Sequence, residues 1–302
     1  MNRHFVATYG TAIAALVLFG FFAVAANNFV NPTNLLNVLK QVSFLAILAI
    51  GFSIAFTAAE LDLSFAAVCS LCAVVVGGLV FHKVAPLFAV AAALAVGLVA
   101  GLVNGILVTA VRIPSLIATL AMASVATGLA FAITGGVAFV GRWDPAFLAL
   151  GRGSVLGVPA LILWTAGVAL VVQFVLKATR LGLHLTFTGE ADEAARLAGV
   201  KTRRMKVIGL AFAGVCAGLV GTLLAATLNS AAPDMAKDYL LTSIAAVLLG
   251  MTMFEPGRCN VPGTLVGAAT IGMLGNGLVL MGAPYYVQDL SLIHISEPTR
   301  RS

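Results

Sequence analysis

The sequence predicts an all-α polytopic membrane protein with nine spans, on three observations: charge is scarce, uncharged intervals are long, and their apolar residues do not alternate. Of the 302 residues, 61% are hydrophobic and 9% charged, where a soluble domain carries roughly a quarter charged residues. Lipid must therefore act as the solvent. The charged positions leave nine free intervals: 4–39, 41–59, 63–82, 84–111, 113–141, 153–176, 207–233, 239–254 and 259–288. A helix needs about 20 apolar residues to cross roughly 30 Å of hydrocarbon. Eight intervals reach or nearly reach that length, and 239–254 is short. Runs such as 87–107 are apolar on every face, which suits a lipid-embedded helix and not a barrel strand of period two.

The first span follows a short basic head (Asn2, Arg3, His4) with no small-residue cleavage site, so it reads as a retained helix. The four cysteines do not suggest a disulfide framework. Cys69 and Cys72 form a C-x-x-C inside an uncharged span, where thiolates and metal ions are poorly solvated, so they read as small buried hydrophobes. His4, His82, His184 and His294 are scattered singly, without ligand spacing, and no metal site or catalytic constellation is expected. The net charge of +6 has its largest cluster in one loop between spans, which does not describe a nucleic-acid-binding domain. No Gly-Lys-Ser or Gly-Lys-Thr occurs, so no P-loop cradles a nucleotide in this chain and no cofactor is expected in it.

Seven basic residues lie between Lys177 and Lys206, and the positive-inside rule places that loop in the cytoplasm. Alternation then sets the N-terminus inside, Glu60, Asp62 and Arg112 at cytoplasmic ends, and Arg142, Asp144 and Arg152 outside. Ten Lys/Arg fall inside and five outside. Nine spans leave the C-terminus outside.

A weak internal repeat relates the halves. Ser64-Phe65-Ala66-Ala67-Val68 is echoed by Ser243-Ile244-Ala245-Ala246-Val247, and Asn104-Gly105-Ile106-Leu107-Val108 by Asn276-Gly277-Leu278-Val279-Leu280. The pairs fall on spans three and eight, and four and nine. An offset of five spans is odd, so the copies run in opposite directions, as transporter repeats do. Spans 2–5 would pair with spans 7–10, which calls for a tenth span. The final residues, Leu290 to Arg300, resemble a conceptual translation of a transposon-end sequencing adapter. Residues 290–302 therefore read as a non-native tail, and 1–289 as one transmembrane domain cut before its last span.

Within the large loop, Thr188 to Val200 has acidic residues early, alanines through its middle and Gly199 near its end, the marks of a short helix with favourable end charges. It can serve as a partner surface or as a solvated connector. Asp62-Leu63-Ser64 reads as a helix start, with Asp62 or Ser64 capping the third span. No acidic residue lies deep within a span, which argues against a proton-driven transporter. Asn104, Thr119 and Asn276 are uncharged polar residues in or at the ends of spans, fit for interhelical hydrogen bonds or for substrate contact. Gly97-x-x-x-Gly101 and Gly263-x-x-x-Gly267 permit close helix packing.

Several segments together resemble the ribose-type permease family of ABC importers, across roughly Asn27 to Asp289. Glu60-Leu61-Asp62-Leu63-Ser64 is similar to that family's Gly-Ile-Asp-Leu-Ser, and Ile113-Pro114-Ser115-Leu116-Ile117-Ala118-Thr119-Leu120 to its Val-Pro-Ser-Phe-Ile-Ala-Thr-Leu. Asn104-Gly105, Thr134-Gly135-Gly136, Ala194 to Val200, Ile244 to Gly250 and Asn276-Gly277-Leu278 follow in the family's order. The resemblance implies a ten-span permease subunit of the bacterial inner membrane, working as a dimer. It implies a separate cytoplasmic ATPase using ATP and Mg, and a periplasmic sugar-binding protein. Coupling to the ATPase would fall to Glu190, Ala194, Ala195, Arg196, Leu197 and Gly199. The pathway or its gate would involve Asp62, Ser64, Asn104, Thr119 and Asn276, and the binding protein would dock on Arg142, Arg152 and Lys237. The chain itself would be a transport subunit for a small sugar, not an enzyme. Glu60 stands where the family has a small glycine, Phe65-Ala66 replace a small pair, and Thr127 stands where an arginine is common. A permease for branched-chain amino acids is the nearest alternative, and a secondary transporter a more distant one.

Overall fold

The structure is a computed structural model that describes residues 3–283. Its helices are α1 (Arg3–Ala25), α2 (Pro32–Thr57), α3 (Phe65–Phe81), α4 (Pro86–Ile106), α5 (Ser115–Thr134), α6 (Pro145–Arg152), α7 (Ala160–Ala178), α8 (Arg180–Glu190), α9 (Asp192–Leu197), α10 (Thr202–Leu228), α11 (Tyr239–Gly250) and α12 (Val261–Leu280). A π-helical turn, Leu107–Val111, prolongs α4. Four two-residue strands form two small antiparallel ribbons, β1 (Phe139–Val140) with β4 (Ser230–Ala231) and β2 (Ser154–Val155) with β3 (Val158–Pro159). The protein is an all-α polytopic membrane protein. Among the described residues, six helices are long and apolar enough to cross a membrane: α2, α4 with its π turn, α5, α7, α10 and α12. Gly10–Ala25 of α1, α3 and α11 are shorter apolar helices. These nine helices match the nine charge-free intervals in number and order, although α2 runs through Lys40 and α10 takes in Arg203, Arg204 and Lys206. The expected tenth span and the tail from Leu290 lie outside the described residues.

Local chemistry sets the helix ends. Asn31 caps α2 by accepting from the Thr33 N–H at 2.9 Å, and Asn260 caps α12 through the Gly263 N–H at 2.7 Å. Pro32 and Pro86 each open a helix, where a missing N–H costs nothing. Arg112, in a left-handed conformation (φ 66°), ends the π turn, and Pro114 bars any continuation into α5. One boundary differs from the sequence expectation. The charge-free intervals put the break between the first two spans at Lys40, but Lys40 lies half-buried within α2, and the break is 26–31. A lysine two turns into a span can snorkel its ammonium toward the headgroups, so a charge does not always mark a helix end.

The two longest helices, α2 and α10, hold the centre. α10 packs against α3 and α4, α2 packs against α11 and α12, and α2 and α10 pack against each other. The contacts treat the two copies of the internal repeat alike, with α2 matched to α10, α3 to α11 and α4 to α12. Glycine makes the closest contacts. A Cβ on Gly97 would overlap the Gly214 carbonyl, and one on Gly214 would overlap the Gly97 carbonyl. Gly263 and Gly267 lie in the same way on Gly250 and Ala246 between α12 and α11. Without a hydrophobic drive between helices in lipid, such backbone contact is a main source of attraction. α5 and α7 remain the most exposed, with 22% and 17% of their apolar windows buried, and so face lipid or a partner.

Candidate functional site

Charged loops gather at two ends of the bundle. At one end lie the α2–α3 connection, Arg112, α8, α9, the start of α10 and the α11–α12 loop. They are tied together by Lys206 to Glu60 (2.9 Å), Lys206 to Asp192 (3.8 Å), Arg258 to Glu190 (2.6 Å), and Lys177 to Glu255. At the other end, Lys83 donates to the Arg142 carbonyl at 3.1 Å, Arg152 donates to the Thr227 carbonyl at 2.7 Å, and Asn229 donates to the Gly141 carbonyl at 2.9 Å. Arg142 and Arg152 are exposed there, and Lys237 is exposed in the β4–α11 loop.

Four of the five residues singled out for a pathway or gate meet in one buried knot beside the first end. α2 closes with Ala59 left-handed (φ 60°), while the Glu60 N–H reaches back to the Ala55 carbonyl at 3.1 Å. The chain then runs without regular structure to α3. Asp62 Oδ1 accepts from the Ser64 N–H at 2.8 Å and the Ser64 hydroxyl at 2.6 Å, so Asp62 fixes the residue that precedes α3, and the Ser64 side chain makes no cap bond of its own. From α4, Asn104 Nδ2 donates to Ser64 Oγ at 2.9 Å. From α5, the Thr119 hydroxyl accepts from the Leu63 N–H at 3.1 Å and lies 3.1 Å from the Leu61 carbonyl, while Ser115 Oγ accepts from the Leu61 N–H at 3.2 Å. Asp62, Ser64, Asn104 and Thr119 are all about fully buried, at 1%, 1%, 0% and 0% exposure. The knot thus satisfies the backbone of an irregular segment with side chains of α5 and of the segment itself, as non-helical chain near lipid requires, while Asn104 of α4 holds the Ser64 hydroxyl. One acceptor in it, Asn104 Oδ1, has no partner.

Asn276 does not join the knot. It exchanges two hydrogen bonds with Asn34, at 2.9 and 3.0 Å, and so fastens α12 to the first turn of α2. Its counterpart in the repeat bonds to Ser64, whereas Ser243, the echo of Ser64, sits inside α11 with its buried hydroxyl unpartnered.

The segment expected to face a partner forms α9. Asp192 and Glu193 occupy its first turn, and it ends in a Schellman motif: Gly199 (φ +86°) donates to the Arg196 carbonyl at 3.0 Å, and Val200 donates to the Ala195 carbonyl at 2.9 Å. Leu197 is 83% exposed and Ala194, Arg196 and Ala198 are also on the surface, while Ala195 is turned inward at 5%. Ala195 therefore seats the helix, and the other side chains are presented. Gly199 has open space where a side chain would be, so its role is conformational. Glu190 is engaged by Arg258 rather than free. Neither the Lys206 bridge nor the Ser115 contact was foreseen from sequence, because each joins groups tens of residues apart with no local pattern.

A cleft of about 840 Å³ opens at this end between α8 and the α11–α12 loop, lined in part by Thr57, Leu61, Lys177, Arg180, Glu190 and Cys259. Burial pushes the Cys259 thiol up to about 11, against a smaller lowering by its hydrogen bond with Thr57. At pH 7 its thiolate fraction is then roughly 10⁻⁴, against a few per cent for an ordinary cysteine. Maleimide modification of Cys259, followed by peptide mass spectrometry, is expected to be about 100-fold slower than for a free thiol at pH 7. It should accelerate about tenfold per pH unit up to pH 11; fast labelling at neutral pH would contradict the buried thiol. Among the described residues no group of three or more His, Cys, Asp or Glu could hold a metal ion.

A family model described as "Branched-chain amino acid transport system / permease component" matches residues 34–295. The chain is 37% identical over 281 residues to the ribose import permease protein RbsC of Escherichia coli (strain K12), covering 91% of this chain and 87% of that protein. It is 32% identical over 280 residues to the ribose import permease protein RbsC of Bacillus subtilis (strain 168), covering 92% and 87%. The L-arabinose transport system permease protein AraH of Escherichia coli (strain K12) is 32% identical over 290 residues, covering 94% and 88%. With glycine-seamed helices, an exchanged packing between halves and these relatives across nearly its whole length, the chain belongs to the branched-chain amino acid transport system permease-component family, on its ribose-type ABC permease branch.

Proposed function

We propose that this chain is the membrane-spanning subunit of an ABC importer that brings a small sugar, a ribose-like pentose or another monosaccharide, into the cytoplasm. The observation that supports it most is α9, a short helix that presents Leu197 to solvent at the charged end while Lys206 ties its first residue to Glu60 in the α2–α3 connection. An ATPase subunit, carrying ATP and Mg, would dock on this surface. The α9 end is then cytoplasmic, as its basic residues require, and the N-terminus lies on that side. Arg142, Arg152 and Lys237 at the opposite end would meet acidic groups of a periplasmic binding protein, and the exposed faces of α5 and α7 leave room for a second permease copy. The relatives' names direct the substrate toward pentoses. The family's description also fits branched-chain amino acids, so leucine belongs in the test as a competitor.

The decisive measurement is uptake of labelled ribose and arabinose into proteoliposomes holding this chain, its partner ATPase and the binding protein. ATP-dependent uptake that leucine does not inhibit is expected; uptake by the chain alone along an ion gradient would establish a secondary transporter instead. Leu197→Glu places a charge on the apolar docking spot. It is expected to lower co-purification of the ATPase at least tenfold while the permease itself still inserts and elutes as a single species. Undiminished association would remove α9 from the interface.

A further inference from the structure

The docking segment reaches the α2–α3 connection by two separate contacts. The first is steric. Gly189, at the end of α8, lies directly on the last residues of α2: a Cβ there would overlap the Thr57 carbonyl and would stand 3.2 Å from the Ala59 N. The second is ionic. Lys206, in the first turns of α10, places its ammonium 2.9 Å from Glu60 and 3.8 Å from Asp192, the first residue of α9. The Glu60 side chain is 7% exposed, that of Lys206 24% and that of Asp192 50%, so the bridge runs from the surface inward. Two residues beyond Glu60 the chain enters the Asp62–Ser64–Asn104–Thr119 knot.

A buried carboxylate is costly unless paired, and removing its partner leaves an uncompensated charge. Lys206 is the cation that the ion-pair geometry gives to Glu60. A displacement of α9 that draws Asp192 toward or away from Lys206 must change how firmly that ammonium holds Glu60. Because Glu60 and Asp62 are two residues apart in the short non-helical connection, the change is delivered to the Asp62–Ser64 contact at the start of α3. We infer that Lys206 is a positioning residue that links α9 to the α2–α3 connection, so that movement of the ATPase-docking helix is passed to the knot through the Asp192–Lys206–Glu60 bridge. This rests on the importer reading above. It adds a specific element to that reading, since Glu60 occupies a place where the resembling family has glycine.

The test compares the full complex carrying the unaltered chain, K206M, the double exchange E60K/K206E and the triple exchange E60K/K206E/D192K. Each is measured for thermal stability, ATP hydrolysis and uptake of labelled ribose. K206M is expected to lower the ratio of uptake to hydrolysis at least tenfold. The double exchange restores the inner pair and hence stability, but sets Glu at 206 against Asp192, so the ratio stays low. The triple exchange restores both contacts and should recover the ratio. If the ratio merely follows thermal stability through the series, or if K206M couples normally, the link is overturned and the pair is structural. Absence of ATP-dependent uptake by the unaltered chain would instead overturn the importer reading, and the link with it.

Discussion

Replacing Gly97 with valine is expected to cost more than about 4 kcal/mol and to prevent recovery of a folded protein from detergent. A Cβ at this position would overlap the carbonyl oxygen of Gly214 and lie 3.2 Å from the Gly218 N, so the obstacle is backbone, which no rotamer change can clear. Overpacking of a tolerant core costs about 1–3 kcal/mol because side chains shift, and the larger figure follows where two helices must separate. Gly214→Val should behave alike, since the contact is reciprocal. Gly167 in α7 is the matched control: nothing lies within 4 Å of its would-be Cβ, and Gly167→Val should insert and elute as the parent does. Size-exclusion chromatography of fluorescent fusions separates the outcomes. Equal profiles for Gly97→Val and Gly167→Val would show that α4 and α10 do not meet as described.

Asp62→Ala is the second large effect. It removes the acceptor for both the Ser64 N–H and the Ser64 hydroxyl, in a fully buried place. Buried donors left unpaired cost about 1–3 kcal/mol each. Relief of the buried carboxylate's own desolvation offsets part of this, so a net loss of about 2 kcal/mol is expected. Asp62→Asn keeps one acceptor and the shape and should lose less than half as much. Thermal unfolding in detergent, read beside ribose uptake, checks both; an Ala variant as stable as the parent would mean that the Ser64 groups find other partners.

Much of this was legible in the chain. Charge-free intervals placed nine apolar helices because a lipid-facing helix has no use for charge, and the one misplaced boundary came from Lys40, whose long stem lets its ammonium escape along the helix. That Asp62 and Ser64 set the start of α3 was readable because the signal is local: a short acceptor two residues before the N–H it bonds, although that bond stops at Ser64, the residue before the helix, and not at a helical N–H. The glycine pair Gly97 and Gly101 declared a close contact but not its partner, since α10 is more than a hundred residues away. The same distance hid the Glu60–Lys206 bridge and the Asn34–Asn276 exchange, whose members stand 242 residues apart in the latter case. Two residues of one chemical kind thus fared differently: the resemblance grouped Asn104 and Asn276 alike with Ser64, but only Asn104 reaches it, while Asn276 bonds Asn34, a neighbour that the repeat does not supply.

The reciprocal seating of Gly97 on Gly214 also limits how the two helices can travel. A turn of α4 about its own axis would drive the side chain next to Gly97 into the α10 carbonyls, and a turn of α10 would do the converse. Neither helix can roll without being prised from the other. They are better regarded as a single two-stranded beam, and whatever tilting the protein performs must pivot at the beam's edges, where α2 crosses α10 and where Ala59 bends the chain out of α2.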